Sequence, residues 1–179
     1  MIADIPKTGY APVNGLQLYY EIQGAGEPLI LLHGGLGSTE MFRDLLPPLA
    51  SARQVIAVDL QGHGRTADIA RPLSYEAMAG DIGGLIEYLG IQRTAIMGYS
   101  MGAGVALRTA IQHPGLIVKL VVISTPFKRE GWYPEVRAAM AQMGAQTAEM
   151  MKPSPIYYYW VIKLFKPLAI QSQAYPEGI

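Results

Sequence analysis

The chain has 179 residues, half of them apolar and 16% charged, a balance that suits one domain with a substantial core and excludes a disordered chain. Fourteen basic residues balance fourteen acidic ones, so no basic field exists to hold nucleic acid or an anionic membrane surface. The absence of cysteine excludes disulfides, thiolate catalysis and cysteine–zinc sites, and is compatible with either redox environment.

Residues 1–15, MIADIPKTGYAPVNG, contain no long apolar core and read as neither signal peptide nor anchor. No run reaches the roughly 18 uninterrupted apolar residues of a spanning helix. The nearest, 156–170, is broken by Lys163, Lys166 and Pro167. A cytoplasmic protein without a membrane span is expected. Asn14-Gly15 sits between two strand-like runs and supplies the positive φ values of a tight hairpin. Leu16, Leu18 and Tyr20 alternate with polar neighbours, which predicts a hairpin wet on one face. PLILLHG (28–34) is short and continuously apolar, the pattern of a strand buried on both faces. A helix is predicted over 38–50 with Ser38 as N-cap, then a buried strand over 54–60. A second helix is predicted over 74–90, capped by Ser74 and stopped by Gly90, with Met78, Ile82, Leu85, Ile86 and Leu89 at helical spacing. Gly83-Gly84 weaken its middle. A strand over 93–98, a helix over 101–114 and a fourth buried strand over 117–124 follow.

Strands alternating with helices predict an α/β fold: a mostly parallel sheet with helices on both faces and right-handed crossovers. In such sheets reactive groups gather beyond the carboxyl ends of the strands. Three of those ends carry distinctive residues. Gly98-Tyr99-Ser100-Met101-Gly102 fits G-x-S-x-G with a strand before it and a helix after it. A serine at so sharp a turn leaves no room for side chains two positions away, hence glycine at 98 and 102. The free N–H groups of the following helix can stabilise developing negative charge. His33-Gly34-Gly35-Leu36-Gly37 follows the first buried strand. Its glycines let backbone N–H groups face a ligand, and Gly35, with Leu36 as the alternative, pairs with Met101 as a candidate oxyanion donor. His33 reads as a prop for this loop. Asp59-Leu-Gln-Gly-His-Gly-Arg-Thr66 is a tight turn in which His63 reads as structural. His113, at the far end of a helix about 18 Å long, is out of reach of Ser100.

The stretches HGGLGS, DLQGHGRT and GYSMGAG, in that order, resemble the α/β-hydrolase fold family over about Tyr10 to Thr125. The resemblance implies Ser100 as nucleophile, the backbone amides of Gly35 and Met101 as oxyanion hole, and neither metal nor organic cofactor. A serine rather than an aspartate at the elbow implies the esterase, lipase, carbon–carbon hydrolase, aminopeptidase and perhydrolase branches, not the haloalkane dehalogenase or epoxide hydrolase ones. Family members place their acid and histidine after two further strands, which this sequence lacks, and no histidine follows His113. Three sources of the base stay open: a missing C-terminal portion, a second chain, or recruitment of His33 or His63. Glu130 is an acid candidate, but Lys128 and Arg129 beside it suggest a solvated run.

The expected division is a hydrolase-like core over 1–126 and a helical, lid-like segment with an aromatic tail over 127–179. The Ala- and Met-rich stretch 135–151 suits either a cap over an apolar pocket or a plain packing helix. Leu36, Tyr99 and Met101 are candidate pocket residues for a small ester or acyl substrate. The strand over 117–124, or one beside it, would lie at a sheet edge, and the aromatic tail suggests self-association. Two functions follow: a serine hydrolase of the carboxylesterase or lipase type acting through an acyl-enzyme at Ser100, or a non-catalytic scaffold that binds a small apolar ligand or a partner.

Overall fold

The computed structural model describes residues 7–125, with 133–135 and 138. Contacts divide the chain into two units, Met1–Phe127 and Lys128–Ile179. The lid, aromatic tail, self-association and Glu130 expected from the sequence fall outside the described residues.

The chain opens with a hairpin of β1 (Lys7–Val13) and β2 (Leu16–Gln23). Asn14 and Gly15 turn it with φ of 48° and 83°, the paired positive values that match the twist of the flanking strands. Three strands then alternate with helical segments: β3 (Pro28–Leu32), β4 (Gln54–Val58) and β5 (Thr94–Tyr99), followed by β6 (Ile117–Ile123). The sheet order is β1-β2-β4-β3-β5-β6. The pairs among β4, β3, β5 and β6 are parallel, and β2 joins β4 antiparallel.

Side-chain alternation divides the core. Ile30, Leu32, Ile56, Val58 and Ile96 face one layer with α2 (Tyr75–Tyr88) and α3 (Met101–Gln112). Leu29, Leu31, Val55, Ala57 and Ala95 face the other, with Phe42 and Leu46. Right-handed crossovers require this: the β3-to-β4 connection moves one way across the sheet, whereas β4-to-β5 and β5-to-β6 move the other.

The single helix expected over 38–50 is instead a 3-10 turn, Thr39–Phe42, and a short α1, Leu46–Ala50. Prolines 47 and 48 lack N–H donors, and their rings would press on the carbonyls of Arg43 and Asp44 in a continuous helix. They are accepted at the start of a new helix instead. Ser38 still caps the first turn, accepting from the Glu40 N–H, and Ser74 caps α2 through the Ala77 N–H. The glycine pair in α2 has a packing reason: a Cβ on Gly83 would lie 2.6 Å from His113 Nε2, and one on Gly84 3.3 Å from Val13. The strand expected to be buried at 117–124 is not. Among the described residues β6 pairs on one side only, and Val118, Leu120, Val121 and Val122 are 36–46% exposed.

Candidate active site

The direction of chain connection reverses between β3 and β5, the kind of position at which α/β sheets hold ligands. The segment after β5 is the Ser100 turn; the segment after β3 is the 33–37 loop.

Ser100 has φ 51° and ψ −114°, a conformation that a residue with a Cβ rarely adopts. Three features hold it there. Its N–H donates to the Ile123 carbonyl at the end of β6 (2.8 Å), and its carbonyl accepts from Ala103 and Gly104 in α3. Gly98 and Gly102 let strand and helix close on each other: a Cβ on Gly98 would overlap the Gly102 carbonyl and come 2.6 Å from Ala103 Cα. One on Gly102 would overlap the carbonyls of Leu32 and His33 in β3 and just beyond it. The Ser100 hydroxyl does not cap α3, so a helix-capping role does not account for it.

The 33–37 loop folds across this turn. Gly37 N–H donates to the Gly34 carbonyl (3.1 Å), and Leu36, with φ 62°, occupies a left-handed position. A Cβ on Gly34 would lie 2.9 Å from Cδ1 of Tyr99 and 3.4 Å from Ser100 Cβ. One on Gly35 would lie 3.9 Å from the Met101 sulfur. Ser100, Gly35, Met101 and Tyr99 are thus brought together, and Leu36 follows Gly35 at the partly exposed tip.

None of the three histidines bonds to Ser100. His33 is fully buried, with Nδ1 donating to the Gly34 carbonyl (2.7 Å) and Nε2 accepting from the Leu60 N–H (3.0 Å). Both ring nitrogens are engaged in one neutral tautomer. Burial lowers its pKa from 6.5 to about 4, against the smaller opposing effect of the Gly34 bond. His33 therefore ties the β3 loop to the β4 loop. His63 lies 5.2 Å from it, ring to ring, with Nδ1 on the Gln61 carbonyl. His113 follows the last residue of α3, thirteen residues from Ser100, and its buried Nε2 has no hydrogen-bond partner among the described residues.

Two buried acids organise the surroundings, a role the sequence did not signal. Asp59 accepts from the Thr39 N–H (2.6 Å) and the Arg65 N–H (2.8 Å), and a side chain at Gly64 would overlap its carboxylate. Asp81 in α2 pairs with both terminal nitrogens of Arg71 and with Asn14 Nδ2. Arg71 also donates to Gln61 (2.7 Å), which holds the 61–71 loop against α2. A shallow cavity of about 200 Å³ lies elsewhere, between Glu21, Thr39, Glu40, Arg43 and Leu46. No residue of the Ser100 turn lines it. Among the described residues no group of three His, Asp or Glu is arranged to hold a metal, and no helix is long and apolar enough to cross a membrane.

A strand–serine–helix turn beside a glycine loop, at the switch point of a mostly parallel sheet, defines an α/β protein of the hydrolase type. The sequence profile of the alpha/beta hydrolase fold family matches residues 27–152, and the chain belongs to that family. It is 33% identical over 115 residues to an sn-1-specific diacylglycerol lipase from Danio rerio, covering 63% of this chain and 36% of that one. It is also 33% identical over 113 residues to a soluble epoxide hydrolase from Corynebacterium sp. strain C12, covering 63% and 40%. The solved structure of the epoxide hydrolase CorEH superposes with a TM-score of 0.74 at 26% identity, over 87% of this chain and 58% of that one. The chain spans less than half the length of these curated relatives.

Proposed function

We propose that the chain carries the nucleophile and oxyanion hole of a serine hydrolase that acts on carboxylic esters. The conformation of Ser100 carries this reading: a left-handed serine between β5 and α3, crossed by the 34–36 backbone. Ser100 Oγ attacks the acyl carbon, the carbonyl oxygen gains charge, and the amides of Gly35 and Met101 receive it. Each such donor is worth roughly 10²–10³ in turnover. The Ser100 proton passes to a base, collapse expels the alkoxide, which takes that proton and leaves as alcohol, and water then hydrolyses the acyl-enzyme. Leu36 and Tyr99 form the apolar wall for the acyl group. The lipase relative, a protein acting on diacylglycerol by its name, supports an acyl ester as substrate class.

Serine needs a base, and losing a triad histidine costs on the order of 10⁶ in turnover. His33 has both nitrogens engaged, so it does not fill that role. The base comes from His63, whose Nδ1 alone is held by the Gln61 carbonyl, or from polypeptide other than residues 1–179, a second chain included. The absence of any imidazole bonded to Ser100 equally favours a second reading, a hydrolase-like scaffold that binds a small apolar ligand without turnover. Labelling with a fluorophosphonate separates them. Labelling that disappears in Ser100→Ala, with nitrophenyl-ester turnover above that variant, supports the hydrolase. Identical labelling and turnover in Ser100→Ala, with a ligand-induced rise in Tm, supports the scaffold.

A further inference from the structure

Two thioethers bear on the glycine loop. Met41, at the end of the 3-10 turn, packs its sulfur directly on Gly37, so that a side chain there would overlap it, with Met41 Cγ at 3.2 Å. The Met101 sulfur lies 3.9 Å from the place a Gly35 Cβ would take. Both methionines are half-buried. Between the two contacts sits Leu36 at φ 62°, a conformation that a β-carbon residue keeps only where its surroundings impose it. His33 secures the start of the loop through the Gly34 carbonyl; its end is secured by the Gly37–Gly34 turn bond and by Met41.

We propose that Met41 is an oxidation site through which peroxides disable the oxyanion loop, an inference that rests on the reading of Ser100 given above. The O–O bond of a peroxide breaks, one oxygen passes to the Met41 sulfur, and the peroxide leaves as water or alcohol. The sulfur goes from thioether to sulfoxide, a two-electron oxidation. The product is polar, chiral and larger than the thioether. It has no room against Gly37, so it swings toward solvent and frees the loop. Leu36 then relaxes, and the Gly35 amide leaves the line of the Ser100 oxygen. A thiol-dependent sulfoxide reductase restores the thioether and the loop.

The full chain is treated with hydrogen peroxide, beside Met41→Leu, and three quantities are read: oxygen addition by peptide mass mapping, amide hydrogen exchange over 33–42, and the rate of fluorophosphonate labelling at Ser100 relative to each protein's own untreated rate. Expected are oxidation at Met41, faster exchange at 34–37, and a labelling rate lower by about tenfold or more, within the ~10²–10³ that loss of a donor costs. Met41→Leu keeps slow exchange and its labelling rate after the same treatment. Unchanged exchange once Met41 is oxidised, or an equal response in Met41→Leu, overturns the proposal. Exchange reads the loop without activity. Absence of Ser100 labelling in untreated protein would therefore count against the hydrolase reading, while the exchange result still decides the fate of the loop.

Discussion

Replacing Gly102 by alanine probes the closeness of α3 to β3 on which the Ser100 turn depends. The added Cβ would fall under 3 Å from three backbone atoms of Leu32 and His33. β3 is hydrogen-bonded on both sides, to β4 and to β5, so those atoms cannot retreat without breaking ladder bonds. Overpacking costs about 1–3 kcal/mol, and a backbone obstacle belongs at the upper end. The higher helix propensity of alanine returns about 1 kcal/mol, leaving a net loss of about 2 kcal/mol. At roughly 4 °C per kcal/mol for a domain of this size, Tm falls by about 8 °C. Gly104→Ala comes nearest the ring of Tyr75, a side chain that is 43% exposed and can swing away, so its Tm changes little. Gly115→Ala meets nothing within 4 Å and gains about 0.4–1 kcal/mol by restricting the unfolded chain. Thermal unfolding followed by circular dichroism ranks the three. A Gly102→Ala midpoint at or above that of Gly115→Ala refutes the close-approach argument.

Two further outcomes are expected. Ser100→Gly removes the cost of a left-handed conformation, about 1–3 kcal/mol, less the entropy cost of glycine, so it raises Tm by a few degrees where Ser100→Ala does not; equal midpoints for the two variants contradict a strained turn. The buried His33 takes up its proton at about pH 4 in the folded protein, against 6.5 for the free side chain. The unfolded state therefore binds more protons between those values. Stability is full above about pH 6.5 and falls as pH drops toward 4, by about 3 kcal/mol in all. Urea midpoints measured across that window show this loss in the parent chain and a shallower one in His33→Gln; parallel curves would remove His33 from the account.

Much of the order of elements was legible because its causes are local. Asn14-Gly15 can adopt the paired positive φ of a hairpin whatever surrounds it. Ser38 and Ser74 cap because a hydroxyl beside a helix start finds free N–H groups at once. The apolar runs at 28–34, 54–60 and 93–98 have the form of strands covered on two faces, and the spacing of Gly98 and Gly102 around Ser100 states the steric demand of the turn. Proline at 47 and 48 also acts locally, and it split the helix that the apolar spacing of 38–50 suggested.

What the tertiary structure alone decided depends on contacts between residues far apart in the chain. The order β4-β3-β5, which puts the 33–37 loop beside Ser100, follows from how crossovers close and leaves no mark on any short segment. The Ile123 carbonyl that receives the Ser100 N–H, the Leu60 N–H that claims the second nitrogen of His33, and the Asn14–Asp81 hydrogen bond likewise join residues far apart in sequence. The run at 117–123 has the composition of a buried strand, and among the described residues it is paired on one side only, because composition records what a strand can bury and not whether a neighbour is there to cover it.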